Sequence, residues 1–339
     1  MAVRGWAEGL AEAGADVALV DDGGIRRPTT GVESLSVPHH GPGRLRRPAD
    51  LEEVLRGADV LMLHSGWVYH NASAARAANR AGIPYIVTPH GAYDPNILAR
   101  RRLLKSAWLK VQESRILDGA MAVHIFFEGE SEYLDRIGYR GPVIVAPNGI
   151  TMVSSHVLGH RQDYALWMGR FDLEHKGVDL LLHAYAQLAG SRPPQLRLHG
   201  PDWKQGKRRA VRIVRDLGLE DSVKIGSPVY GLDKGKLLSE CALFLFTSRW
   251  DSNSMVVLEA ASAGAPMVVT DTTFVGRELA RERAAVLVEP TPSSIAAGIR
   301  EGLSDSGQET GRRAADLVRD RFSWPAVTRQ FLDQLSALL

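Results

Sequence analysis

Short apolar runs rich in β-forming residues alternate with stretches of helical period along almost the whole chain. This alternation constrains the fold more than any other feature. A run that must be followed by a helix before the next run returns alongside it gives a parallel sheet with helices on both faces. The runs fall in two series, at 15–20, 60–63, 85–88, 120–124 and 143–146, then at 165–168, 195–198, 222–225, 242–246, 266–269 and 285–288. The 339 residues exceed one ordinary core and match two domains of roughly 150 residues each. The reading is therefore an α/β protein with two doubly wound, Rossmann-like domains, 1–150 and 151–322, and a closing segment 323–339. Pro147-Asn148-Gly149 is turn chemistry, and the polar stretch 151–163 without an apolar stripe reads as the linker. The last helix, from Trp324 on, has Ser323 at its cap and Pro325 in its first turn, and is expected to pack back across the junction. Ligands of such sheets bind at the carboxyl ends of strands, so two facing sheets would put the site in a cleft.

The start of the chain departs from that pattern. Residues 3–13 read as a first helix and 15–20 as a second strand, with no strand or glycine-rich turn ahead of them. In a doubly wound sheet the first strand is central, so its loss would leave its neighbours with unpaired backbone groups. A start lying further upstream is the expectation. Gly41-Pro42-Gly43 lacks a flanking strand and helix and is no dinucleotide fingerprint.

Charge excludes one class of partner. With 41 basic against 39 acidic residues the net charge is +2, too small for a field that would gather nucleic acid. Cys241, the one cysteine, lies in the apolar run to Phe246 and reads as a buried thiol in a reducing compartment. No apolar run approaches the ~18 residues of a membrane span, and no basic-then-apolar leader opens the sequence. A cytoplasmic protein is expected. The stretch from Ile97 to Lys110 reads as one basic amphipathic helix with Leu104, Trp108 and Val111 on one side. Contact of 97–111 with the inner face of a membrane and a core-facing stripe both fit it. Lys207-Arg208-Arg209-Ala210-Val211-Arg212 reads as a solvated helix face.

The chemistry concentrates between Trp167 and Glu259. Arg170 and Lys176 follow a strand and enter a helix, where backbone N–H groups also favour anions. Asp251 and Glu259 follow the next core strand, eight positions apart, with Ser252, Asn253 and Ser254 expected to cap the intervening helix. Cations for a diphosphate and acceptors for sugar hydroxyls are what a sugar nucleotide requires. Taken alone, the carboxylates fit an N-cap aspartate and a solvated helix glutamate equally well. No Asp-x-Asp clamp or His/Cys/Glu cluster has ligand spacing, so neither metal nor cofactor is expected. His90 follows the run 85–88 and precedes Gly91, and His64 follows the run 60–63. Each could face an acceptor or be a satisfied structural residue.

Gly-Arg-x5-Lys-Gly from Gly169, followed by Ser248 to Pro266 with its carboxylate-x7-Glu-Ala spacing, resembles the family 4 retaining glycosyltransferases of GT-B architecture. Thr88-Pro89-His90-Gly91, Pro147-Asn148-Gly149 and Phe322-Ser323-Trp324 are similar to further landmarks of that family. The resemblance implies that Arg170 and Lys176 hold the donor diphosphate, Asp251 the donor sugar and Glu259 the ribose. Gly169, Ser252, Asn253 and Ser254 would complete the donor set, and His90 would lie at the acceptor side of the reacting carbon. The implied activity is metal-independent transfer of a hexose from a nucleotide-diphosphate sugar to a hydroxyl of a glycan or lipid-linked saccharide, with retention. An impaired donor-binding relative and a nucleotide-sugar epimerase are the alternatives. Three departures stand out: Asp251 where the family has Glu, Ser252-Asn253-Ser254 where it has glycines, and no glycine-rich loop after a first strand.

Overall fold

Residues 2–21, 31–41, 47–152 and 160–339 are described in a computed structural model of the chain. Residues 42 and 43 of the glycine-proline loop and residues 153–159 of the expected linker lie outside them. Contacts divide the chain into a first unit, Met1–Gly149 with Trp324–Leu339, and a second, Ile150–Ser323.

The strands of the first unit are β1 (Ala18–Asp21), β2 (Glu33–Ser36), β3 (His39–His40), β4 (Arg47–Pro48), β5 (Leu61–His64), β6 (Tyr85–Thr88), β7 (Ala122–Ile125) and β8 (Val143–Val145). Those of the second are β9 (Gln162–Met168), β10 (Gln195–His199), β11 (Val223–Ile225), β12 (Cys241–Phe246), β13 (Met267–Thr270) and β14 (Val286–Val288).

The second unit is a single parallel sheet in the order β11-β10-β9-β12-β13-β14. Counted along the chain this is 3-2-1-4-5-6, the doubly wound order in which the sheet reverses direction of growth between its first and fourth strands. The switch point here lies between β9 and β12. β9 starts three residues before the expected run, so Gln162 and Asp163, assigned above to the linker, belong to the sheet. Both face solvent while Tyr164 to Met168 are buried, and a polar first turn of the strand carries no apolar signal. Cys241 opens β12, fully buried, and its Sγ donates to the Leu238 carbonyl at 3.3 Å. Burial pushes its thiol up to about 12, which makes it an inert core residue.

In the first unit the parallel strands fall in two sheets, β1-β2 and β5-β6-β7-β8. Among the described residues no strand joins β1 to β5, so each keeps one unpaired edge. The cost is visible in burial: Leu61 and Met62 of β5 are half-buried, whereas every residue of β6 and β7 is buried. β2 and the antiparallel pair β3-β4 escape the sequence pattern because they are short, polar and exposed.

The helix Trp324–Ser336 belongs to the first unit. Trp324 fills space that three glycines leave open. A Cβ on Gly5 would come within 2.0 Å of its ring, one on Gly9 within 3.3 Å and one on Gly149 within 2.4 Å. Further along, Gln334 accepts from the Val145 N–H and both Gln330 and Gln334 donate to the Val145 carbonyl, each at 2.9 Å. These bonds satisfy the outer edge of β8. Asn148 accepts from Trp6 Nε1 at 2.8 Å, so the Pro147-Asn148-Gly149 landmark does packing work here.

The basic stretch is not one helix. Helices Pro95–Ala99 and Arg102–Trp108 are separated by Arg100 in extended backbone and Arg101 with φ 57°, and a π-helical turn follows at Leu109–Glu113. Lys105 Nζ donates back to the Ile97 carbonyl, folding the second piece against the first. The π turn brings buried Glu113 inward, where its carboxylate accepts from Tyr93 Oη, Trp108 Nε1 and the Trp67 N–H at 2.8, 2.8 and 3.3 Å. Helical period along the sequence cannot anticipate such a break, because long-range partners of Glu113 decide it. No described helix is long and apolar enough to cross a membrane.

Candidate functional site

The loops after β9 and β12 adjoin at the switch point, and they bring together residues that the chain separates by about seventy-five positions. Asp172 caps the single helical turn Leu173–Lys176 by accepting from the His175 N–H at 3.4 Å. Gly177 ends that turn with φ 62° and starts the helix Val178–Ala186. A side chain is excluded there, since a Cβ would lie 2.0 Å from the Thr247 carbonyl oxygen. Thr247 Oγ1 in turn donates to the carbonyls of Lys176 and Gly177 at 3.2 and 3.1 Å. The two loops are therefore seated backbone to backbone.

Arg249 fastens them again. Its guanidinium makes a bidentate pair with Asp179, 2.9 and 2.6 Å, and donates to the Leu173 carbonyl at 2.7 Å. His175 stacks on Trp250 with rings 4.7 Å apart and nearly parallel, and its Nε2 lies 2.8 Å from the Trp250 carbonyl. Burial, helped by the charge of Lys176, lowers the His175 imidazole to about 4, so it is neutral.

Lys176 Nζ lies 2.5 Å from Asp251 Oδ2, with the two side chains 14% and 15% exposed. This is the one direct contact among the cations and carboxylates picked from the sequence. Arg170 turns elsewhere: it is 3.4 Å from Asp172 Oδ2, and its guanidinium carbon is 4.5 Å from the centre of the Trp203 ring. Glu259 pairs with Lys234, a residue on the helix Gly231–Glu240 after β11. Gly169 donates its N–H to the His199 carbonyl at 3.0 Å, and its own carbonyl would lie 1.7 Å from a Cβ on Gly200.

The cap differs from expectation. Ser254 occupies the N-cap of the helix Met255–Ser262 but makes no side-chain cap bond, and Ser252 and Asn253 lie ahead of the cap. Ser254 has extended backbone, and capping also requires a rotamer that returns the hydroxyl to the first turn. Among the described residues several buried polar atoms have no partner, and on these loops they are Arg170 Nε, Ser248 Oγ and both amide atoms of Asn253, with Trp167 Nε1 near the end of β9. Buried polar groups are normally bonded, so this concentration sets the two loops apart from the rest of the described chain.

His90 lies in the first unit, with its own neighbours. Its Nε2 is 3.0 Å from His64 Nδ1. His124 of β7 is fully buried and satisfied, by Thr88 Oγ1 at 3.1 Å and the Ala146 carbonyl at 2.8 Å. Burial lowers the three imidazoles to about 3 for His64 and about 4 for His90 and His124. All three are neutral near pH 7. Ser65, Trp67 and His90 have φ of 73°, 62° and 51°, a concentration of left-handed backbone that costs of order 1 kcal/mol per residue and collects at functional loops.

Sequence reading missed Asp172, His175, Lys234, Arg249 and Glu113. Asp172 carried a signal, an aspartate three residues before the N–H it caps. The others act through long-range partners. No group of His, Cys, Asp and Glu able to hold a metal occurs among the described residues.

Two family models match the chain, a glycosyl transferase 4-like domain over residues 1–149 and glycosyl transferases group 1 over 152–318. A GDP-mannose:cellobiosyl-diphosphopolyprenol alpha-mannosyltransferase of Xanthomonas oryzae is 22% identical over 90% of this chain and 80% of its own length. A mannosylfructose-phosphate synthase of Agrobacterium fabrum is 26% identical over 51% of this chain and 40% of its own length. Among solved structures, sucrose-phosphate synthase from Thermosynechococcus elongatus superposes with a TM-score of 0.76 at 20% identity, covering 99% of this chain and 92% of that one. HepE of Anabaena, solved in complex with UDP and glucose, gives 0.74 at 19% identity over 99% and 95%. At such identities the structural likeness speaks for the fold.

Proposed function

The chain belongs to the glycosyl transferases group 1 family, of GT-B architecture, and is a glycosyltransferase; on that premise we propose that it moves a hexose from a nucleotide-diphosphate sugar to a glycan or lipid-linked hydroxyl, with retention and without a metal. The observation that carries this reading is the Lys176–Asp251 contact of 2.5 Å at the switch point, on the same two loops as Arg170 Nε and the amide of Asn253, which have no partners. Lys176 offers a fixed ammonium for the departing diphosphate, and Arg170 a guanidinium on the same loop. One such preorganised charge is worth about 3 kcal/mol in the transition state. Asp251 uses one oxygen for Lys176 and offers the other to a sugar hydroxyl, while Glu259 accepts from the ribose. Gly169, Ser252, Asn253 and Ser254 line the same loops as contacts for phosphate and sugar.

In the step itself the bond from the anomeric carbon to the phosphate oxygen breaks, and the acceptor oxygen bonds to that carbon on the same face. The acceptor proton passes to the departing phosphate oxygen. His90, neutral and bonded to His64, orients the acceptor hydroxyl without taking charge. Transferases of this family act with an acceptor, unlike a nucleotide-sugar epimerase. Both the alpha-mannosyltransferase relative, whose name specifies a diphosphopolyprenol acceptor, and the HepE complex with UDP support this substrate class. The test is a calorimetric titration of nucleoside diphosphates and their sugars into the protein and its Lys176→Ala variant; equal affinities and equal sugar transfer in the variant would end the reading.

The broken basic segment supports a peripheral membrane contact. Leu103, Leu104 and Val111 are 88%, 63% and 60% exposed, and Arg101, Arg102 and Lys110 beside them are exposed too. Apolar side chains ringed by cations suit an anionic lipid surface. Flotation with vesicles containing phosphatidylglycerol tests it, with loss of binding expected for Leu103→Glu/Leu104→Glu; unchanged flotation would refute the contact.

A further inference from the structure

We propose that Lys234 is a positioning residue for donor recognition, holding Glu259 oriented and charge-compensated so that it can read the ribose of a nucleoside diphosphate. The proposal rests on the assignment of Glu259 to the ribose given above.

Lys234 stands on the helix Gly231–Glu240, which leaves β11 at the same end of the sheet as the loops after β9 and β12. Its Nζ pairs with Glu259 Oε2, each side chain 22% exposed. Glu259 Oε1 remains for a hydroxyl, because a carboxylate offers about four lone-pair sites on two oxygens.

Three physical effects make the lysine matter. A carboxylate covered by a bound nucleotide loses its remaining water, and a buried charge deprived of its partner is penalised more than the intact pair. A bare glutamate beside a diphosphate also repels it, and the ammonium cancels that charge where the ligand is anionic. Finally, Glu has three rotatable side-chain bonds, and one ion pair from a neighbouring helix restricts them to the orientation that faces the ligand. Asp251 is treated in the same way by Lys176. Both carboxylates of the site thus come with a lysine from a different segment of the chain.

The experiment measures the ratio of affinities for a ribonucleoside diphosphate and its 2′-deoxy and 3′-deoxy forms, by calorimetry on the full chain. Variants are Glu259→Gln, Lys234→Met, Lys234→Arg and the double change Glu259→Gln/Lys234→Met, with melting temperature as a check on folding. The expected result is a preference for the ribonucleotide that Glu259→Gln removes, that Lys234→Met reduces about tenfold, and that Lys234→Arg restores in part. The double variant should be no worse in this ratio than Glu259→Gln alone. If Glu259→Gln removes the preference and Lys234→Met leaves it intact, the positioning role is refuted while the ribose assignment stands. If the wild-type chain shows no preference, or Glu259→Gln leaves it intact, the ribose assignment fails and takes this proposal with it. A lower melting temperature with an intact ratio marks Lys234 as a structural pair and overturns the proposal.

Discussion

The second unit delivers its candidate chemistry from two neighbouring strands of an unbroken six-stranded sheet, whereas the first delivers His64, His90 and His124 from three consecutive strands of a sheet that stops at β5. The charge logic also differs. In the second unit each cation near the switch point has a carboxylate beside it, Lys176 with Asp251, Arg170 with Asp172, Lys234 with Glu259. In the first, half-buried His64 and His90 bond each other, buried His124 meets a threonine and a carbonyl, and desolvation strips their charge. Of the buried carboxylates there, Glu113 is held by neutral donors and pushed upward by desolvation. A site that must meet a multiply charged ligand keeps its ions and balances them. A site that must orient a neutral hydroxyl can be built from uncharged groups.

The strongest way to break this contrast is Lys176→Ala. Turnover should fall about a hundredfold to a thousandfold, with a much smaller loss of stability, in initial-rate assays with the matched donor. A loss of less than tenfold would mean that the ionic site is not where charge develops. The corresponding change in the first unit is Glu113→Ala, which strands the Tyr93 hydroxyl, the Trp108 indole and the Trp67 N–H. It should cost about 2–3 kcal/mol by urea unfolding, and a neutral outcome would show that the π turn relaxes freely.

Acidification should separate the units more gently. Histidines with folded values below the unfolded 6.5 bind protons more readily when unfolded, so their contribution is complete above about 6.5 and is lost as pH falls towards about 4 for His90 and His124 and about 3 for His64. Each can remove about 1.4 kcal/mol per pH unit in that window. The first unit has three such groups and the second has His175, so fluorotryptophan signals at Trp6 and Trp167 should show the first unit weakening more steeply between pH 7 and 5. Equal slopes would contradict neutral burial in the first unit. The smallest effect belongs to Asp251→Glu, which adds one methylene to the Lys176 pair. Turnover should change by about tenfold or less, and a larger loss would show that the short 2.5 Å contact is finely fitted.

Local information went a long way. The eleven apolar runs all became strands, because side-chain period and turn chemistry act over a few residues and leave their mark in order along the chain. For the same reason Arg170 and Lys176 could be placed after β9, and Asp251 and Glu259 around the helix that follows β12. Short polar strands such as β2 and β4 left no such mark, and the break at Arg100 and Arg101 contradicted a period that was real but locally overruled.

What the linear order could not contain was partnership. Lys176 meets Asp251 across seventy-five positions, Lys234 meets Glu259 across twenty-five and Glu113 meets Trp67 across forty-six. A side chain's period says which way it faces, but its partner depends on strand order, and strand order is a property of the whole sheet. Only when β9 and β12 lie side by side do an ammonium and a carboxylate from two loops become one contact. Likewise, only the absence of a described strand between β1 and β5 separates the sheet of the first unit from the continuous one of the second.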